Sequence, residues 1–300
     1  MANFTTNLIP DMTGKTVLIT GGNSGIGYQT ALVLAQKGAD IIISCRSKKN
    51  ADEAIVKIKK ICPTAKISAV TFDLAELNSV HSFVDSCTLP KIDILINNAG
   101  VMNIPTRTLT KDGHEMHFSV NHLGHFALTT GLIPLLKKSE APRVICVSAL
   151  VAYQNVFDIK NLQSEVSYKP MKAYAQSKLA NVLFANELGR REPNIISVAL
   201  QPGSAMTNLQ QHTPKAFAGI AKFLMRFAGQ SVEDCALPSL YTATQPDVKV
   251  GMFFGPTGKL NKGSAGQRSM PKLAEDTELA KKLWEVSEQL ISQSTKGVAV

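Results

Sequence analysis

Tryptophan occurs once, at Trp284, and aromatic residues make up only 6% of the 300-residue chain. No basic stretch interleaved with aromatics is present, which argues against nucleic acid as a partner. Cysteine is sparse as well: Cys45, Cys62, Cys87, Cys146 and Cys235 are an odd number, widely scattered and without a CxxC pair. That pattern speaks against a disulfide framework and a structural zinc site, and it suits a reducing cytoplasm. No apolar run approaches the roughly 18 residues that a membrane-crossing helix needs. Residues 1–14 have neither a basic start nor an apolar stretch, so no signal peptide is expected.

What is abundant is apolar and mildly basic. Hydrophobic residues reach 44% against 18% charged, enough to bury a large core and to exclude wholesale disorder. Lys and Arg outnumber Asp and Glu by 32 to 23, a net charge of +9. The basic residues are spread out, with short clusters at Lys48-Lys49, Lys59-Lys60 and Lys137-Lys138. They read as a solvated surface that favours an anionic small molecule.

Two kinds of segment alternate along the chain. Short β-branched runs cover Lys15 to Thr20, Ile41 to Cys45, Lys66 to Thr71, Ile92 to Ile96, Val144 to Ser148 and Ile195 to Leu200. Between them lie segments of helical period: Gly25 to Lys37, Ala51 to Ile61, Leu74 to Cys87, Leu123 to Lys138 and Lys172 to Arg190. The runs are near-continuously apolar, as in a parallel sheet buried on both faces. The expectation is an α/β fold, a doubly wound parallel sheet with helices on both faces. One domain is expected over 1–300: an N-terminal extension (1–14), a nucleotide-binding core (15–200), and a substrate lid with the C-terminal part (201–300). Ala149 to Met171 and Gly203 to Gln230 are longer than ordinary connections, and long loops at strand C-termini are where such sheets bind ligands.

The first strand runs into Thr20-Gly21-Gly22-Asn23-Ser24-Gly25-Ile26-Gly27 and then a helix. Glycines there let the backbone turn sharply and approach a pyrophosphate, while the opening helix turn offers free N–H groups. Gly21, Asn23, Ser24, Gly25, Ile26 and Gly27 are therefore candidate cofactor contacts in a Rossmann-type arrangement. The second strand ends in Arg46-Ser47, where an NAD-binding fold would carry an acid for the ribose hydroxyls. A guanidinium pairs instead with a 2′-phosphate, so NADP(H) is the expected cofactor. Asp73 and Leu74, just past the third strand, are placed to meet the adenine, although an Asp before Leu74 also suits a helix cap.

The fourth strand ends in Asn97-Asn98-Ala99-Gly100 and the fifth in Ser148, and Tyr174 and Lys178 stand at i and i+4 on one helix face. Each piece is common alone, but their order after the glycine turn is specific. Together they resemble the short-chain dehydrogenase/reductase family, and the likeness covers nearly the whole chain. The resemblance implies that Asn98, Ala99, Gly100, Pro202, Gly203 and Thr207 contact the cofactor. It implies that Asn121, Ser148, Tyr174 and Lys178 are the catalytic group, with Tyr174 and Lys178 also touching the cofactor. Ser148 would hydrogen-bond the substrate oxygen, and Asn121 would anchor a proton-relaying water. A free tyrosine has a pKa near 10, and lowering it by about three units needs about 4 kcal/mol. A cation at about 5 Å supplies about 3 kcal/mol at an effective dielectric of about 20, which makes Lys178, with the oxidised nicotinamide adding a second positive charge, the expected source of an acidic phenol.

Asn121-His122-Leu123-Gly124-His125-Phe126, Ser177-Lys178-Leu179-Ala180-Asn181 and Lys282-Leu283-Trp284-Glu285-Val286-Ser287 are most similar to the retinol dehydrogenase-like branch, which includes the WW-domain oxidoreductase and plant protochlorophyllide reductases. Neither a membrane anchor ahead of the glycine turn nor WW modules are expected. The implied activity is NADP(H)-dependent hydride transfer to or from an apolar carbonyl or alcohol. A light-driven C=C reductase and a non-catalytic nucleotide-binding sensor or scaffold are the alternatives. The intact Ser148, Tyr174 and Lys178 favour the enzyme, since a sensor needs only the glycine turn.

His114, His117, His122 and His125 form two i,i+3 pairs, but no zincin-type carboxylate pattern accompanies them, and no metal is expected. Over 214–229, Phe217, Ile220, Leu224 and Phe227 fall on one helical face and Lys215, Lys222 and Arg226 on the other. This reads as a substrate lid able to touch an anionic membrane peripherally. Trp284 reads as a core anchor, and the chain as a monomer or homodimer.

Overall fold

The computed structural model describes residues 3–203 and 230–296. Thr207 and the amphipathic segment 214–229 lie outside the described residues. The strands are β1 (Thr16–Thr20), β2 (Asp40–Cys45), β3 (Ile67–Thr71), β4 (Ile94–Asn97), β5 (Arg143–Val147), β6 (Ile196–Leu200), β7 (Phe253–Pro256) and β8 (Ala265–Arg268). They form one sheet in the order β3-β2-β1-β4-β5-β6-β7-β8, parallel throughout except for the antiparallel β7–β8 pair. The winding steps from β1 out to β3, then returns past β1 to β4. A crevice therefore opens between the C-terminal ends of β1 and β4.

Alternate strand residues enter opposite cores. Leu18, Ile42, Leu95, Val144 and Phe253 pack on one face, among α3 (Leu77–Asp85), α6 (Pro170–Arg191) and the C-terminal helix α8 (Thr277–Lys296). Val17, Ile43, Ile96, Val198 and Phe254 pack on the other, against α1 (Gly25–Gln36), α2 (Lys48–Ile61) and α7 (Val232–Thr244). Two-sided burial is why the inner strands lack polar alternation. At the sheet edge, β3 has no buried residue, so the expectation of double burial fails for that strand.

Three differences from the expected elements have local causes. Helix α3 begins at Leu77, not Leu74, because the Asp73 carboxylate accepts the Ala75 N–H and the Asp112 carboxylate caps Leu77. The helix expected from Leu123 starts at α4 (Met116–Phe118) and passes through a wide π-type turn (Ser119–Leu123) into α5 (Gly124–Leu136). Glu115 opens it by accepting the N–H groups of His117 and Phe118. Strands β7 and β8 were not expected, since Phe-Phe-Gly-Pro and Ala-Gly-Gln-Arg carry little β pattern of their own.

Candidate active site

The crevice holds a cavity of about 900 Å³ that runs from the glycine turn to the start of α6. Gly21, Asn23, Ser24, Gly25, Ile26 and Gly27 line one end. Gly21 and Gly25 have φ of 66° and 55°, in the left-handed region where a side chain is costly. A Cβ on Gly27 would stand 2.5 Å from the Gly21 carbonyl oxygen, so the turn closes only with glycine there. Ser24 makes no side-chain cap on α1, leaving the N–H groups of the first turn directed at the cavity.

Thr20 fastens this turn to the end of β4. Its hydroxyl accepts the N–H groups of Asn98 (2.9 Å) and Ala99 (3.0 Å), while the Asn98 amide donates to the Thr20 carbonyl at 2.8 Å. Asn98, Ala99 and Gly100 thereby join the lining. Arg46, Ser47, Asp73 and Leu74 border the cavity beyond the turn, and Arg46 is exposed. Lys48 turns to Asp52, 2.9 Å away. Pro202 and Gly203 close the same wall. Asn50 also lines the cavity; its place in the first turn of α2, beside Arg46 and Ser47, is the signal that sequence reading passed over. Val101, Met102, Ala149, Leu150, Val151 and Met171 add an apolar limb that motif matching did not single out.

Ser148, Tyr174 and Lys178 meet at this apolar end. Ser148 is held at the end of β5 by its N–H bond to the Leu200 carbonyl (2.7 Å), and its hydroxyl donates to the Lys178 carbonyl at 2.6 Å. Lys178 is buried, with Nζ 3.1 Å from the Val147 carbonyl and 5.9 Å from the centre of the Tyr174 ring. A Cβ built on Gly100 would lie 3.0 Å from Asn121 Oδ1 and 3.2 Å from Lys178 Nζ, so glycine keeps this corner open. The Asn121 side chain is engaged: it accepts from the Val101 N–H (2.8 Å) and donates to the Val101 carbonyl (3.0 Å) and to Ser177 Oγ (2.9 Å). Both Nδ2 hydrogens and one Oδ1 lone pair are thus used, which leaves the backbone carbonyl and the second Oδ1 lone pair as acceptors for a water.

Electrostatics differ from the expected acidic phenol. Burial pushes the Tyr174 hydroxyl well above its ordinary value, and it pulls Lys178 down to about 8. Desolvation of the charged forms outweighs the pair's attraction in the free chain. Tyr174 is thus held as a proton donor. Burial likewise holds Cys146, behind this corner, at about 12, an inert thiol. Among the described residues, no group of three or more His, Cys, Asp or Glu side chains is placed to hold a metal.

The open glycine turn, the uncapped start of α1 and the long cavity fit a dinucleotide. Such a fold and site define the class of nicotinamide-dependent oxidoreductases. The family profile described as short chain dehydrogenase matches residues 15–217, and the chain belongs to that family. It is 40% identical over 300 residues to human retinol dehydrogenase 13 (95% of this chain, 87% of that protein). It is 38% identical over 298 residues to retinol dehydrogenase 14 of Mus musculus (93% and 86%). A solved structure of an uncharacterised protein from Mycobacterium paratuberculosis superposes with a TM-score of 0.80 at 33% identity, covering 97% of this chain and 98% of the other. The chain is retinol dehydrogenase-like. No helix among the described residues is long and apolar enough to cross a membrane.

Proposed function

We propose that the protein is an NADP(H)-dependent oxidoreductase that interconverts an apolar carbonyl compound and its alcohol. The observation that carries this reading is the convergence of Ser148, Tyr174 and Lys178 with the glycine turn on one cavity. When bound, the nicotinamide supplies or accepts the hydride. Tyr174 gives its proton to the carbonyl oxygen in reduction and takes it back in oxidation. Lys178 would hold the nicotinamide ribose, and it stabilises the phenolate as it forms. Ser148 leaves the Lys178 carbonyl to bond the substrate oxygen. The Asn121 carbonyl anchors a water that hands protons past Lys178. Arg46 favours the 2′-phosphate.

The substrate limb supports an apolar ligand: Val101, Met102, Leu150, Val151 and Met171 offer no charge, and the two thioethers adapt to varied shapes. The retinol named by the two relatives is a ligand of that kind. Catalysis by a single domain in the cytoplasm, as monomer or homodimer and with peripheral membrane contact through 214–229, is part of the same reading. Its test is a screen of aldehydes, ketones and alcohols with both nicotinamides, with Tyr174→Phe as control. Turnover of apolar substrates that favours NADPH and collapses in the control is expected. Nucleotide binding without turnover, unchanged in the control, would make the protein a sensor. Turnover only of an illuminated porphyrin C=C bond would make it a reductase of the other kind.

A further inference from the structure

His125 does not line the cavity, yet it touches two of the parts that build it. The ring is 2% exposed, in the first turn of α5, directly after the wide turn that carries Asn121. Its Nδ1 lies 3.1 Å from the Asn121 carbonyl oxygen and its Nε2 lies 2.8 Å from the Thr20 hydroxyl. A carbonyl only accepts, so Nδ1 must carry the hydrogen. A neutral ring then leaves Nε2 as an acceptor, and the Thr20 hydroxyl donates to it. That hydroxyl has both lone pairs taken by the N–H groups of Asn98 and Ala99, so its proton is what it has left to offer. The alternative acceptor, the Ile96 carbonyl, is 3.4 Å away. Neutrality is supported: burial lowers the imidazole to about 3, against the opposing bond to Asn121 and with a smaller contribution from the nearby Lys178 charge.

The chain of bonds therefore runs from the Ala99 and Asn98 N–H groups to Thr20, from Thr20 to Nε2, and from Nδ1 to the Asn121 carbonyl. Each donor has one acceptor and the direction cannot be reversed without a second proton on the ring. We propose that His125 is a positioning residue that fixes the direction of the Asn121 carbonyl and ties it to the glycine turn, so that one lone pair of that oxygen is taken and the other is aimed for proton relay. The role rests on the reading of Asn121, Tyr174 and Lys178 given above. The Asn121 side chain is itself tied to Val101 and Ser177, which leaves the direction of its carbonyl to be fixed from outside by Nδ1.

The test compares three variants at this position. Phe keeps the ring volume and removes both nitrogens; Asn restores an N–H where Nδ1 stood; Gln reaches only toward the Nε2 end. His125→Phe is expected to lower kcat at least tenfold while the Kd for NADPH changes less than threefold. His125→Asn should recover at least a third of the wild-type kcat, and His125→Gln should not. In the free chain at pH 7, NMR of 15N-labelled histidine should find His125 protonated at Nδ1 alone. The Asn121 carbonyl 13C shift should move in His125→Phe and return in His125→Asn. Wild-type protein that binds NADPH but turns nothing over would defeat the functional reading alone, and the two NMR measurements would then decide the positioning role. An Nε2-protonated or charged ring, an unmoved Asn121 carbonyl, equal recovery by Asn and Gln, or a Kd loss as large as the kcat loss would overturn the proposal.

Discussion

Lys178 stands one helical turn beyond Tyr174 with its Nζ 5.9 Å from the centre of the phenol ring, and burial drives both groups toward their uncharged forms. A neutral phenol is the form a reductase needs before the hydride moves. The ammonium becomes useful only as negative charge develops on the phenol oxygen.

Tyr174→Phe removes the proton and little else, since the ring stays buried in place. Turnover should fall at least a hundredfold while NADPH still binds. Steady-state rates alongside a fluorescence titration of NADPH check both halves. Near-normal turnover would remove Tyr174 from the chemistry.

Lys178 carries a stability cost through its burial. Its folded pKa of about 8 lies below the unfolded value of about 10.4, so between those values the unfolded chain holds the extra proton. Stability of the free chain should therefore rise as the pH climbs from about 8 to about 10.4, and it is lowest on this account at neutral pH. Lys178→Met should make the free protein more stable at pH 7, by on the order of 2 kcal/mol, flatten that rise, and abolish turnover. Thermal melts from pH 7 to 10 would show it. A variant less stable than wild type at pH 7 would contradict the desolvation account.

The motifs that read plainly from sequence are those whose chemistry lies within a few residues. The glycine turn, Asn97 to Gly100 and the Tyr174–Lys178 spacing all meet on the predicted sheet edge, and the doubly wound order followed from the alternation of strands and helices. What escaped depends on groups far apart in the chain. Ser148 spends its hydroxyl on the Lys178 carbonyl, Asp112 caps a helix that begins at Leu77, and β7 and β8 exist because β6 supplies an edge for them. The upward push on Tyr174 in the free chain was not legible for the same reason: counting cations in sequence does not count the apolar shell that removes water from both groups.

Arg46→Asp tests the cofactor preference. Arg46 is exposed at the cavity rim, with Lys48 drawn away to Asp52. An aspartate there would repel a 2′-phosphate and accept from ribose hydroxyls. The Kd for NADPH should weaken at least thirtyfold while that for NADH changes less than threefold or improves. Parallel titrations with both nucleotides check it, and equal losses would overturn the preference.

Trp284 locks the C-terminal helix over α5 and α6. Its ring sits 4.8 Å from Phe126 and 5.7 Å from Phe184, its Nε1–H donates to Glu288 at 2.8 Å, and the Arg191 guanidinium stacks 4.6 Å above it. This covers the C-terminal part of the face of α6 away from the sheet, while residues 158–162 cover its start at Gln176, and Ala173 through Gly189 are all buried. Trp284→Ala would leave a cavity between two phenylalanines and lose the cation–π contact, costing about 3 kcal/mol. The melting temperature should fall by roughly 5 °C. Because α6 also carries Tyr174 and Lys178, a loosened α8 should raise both the KM for substrate and the Kd for NADPH. Melting curves and initial rates test the two effects separately. An unchanged melting temperature would mean that α8 is not held by this ring.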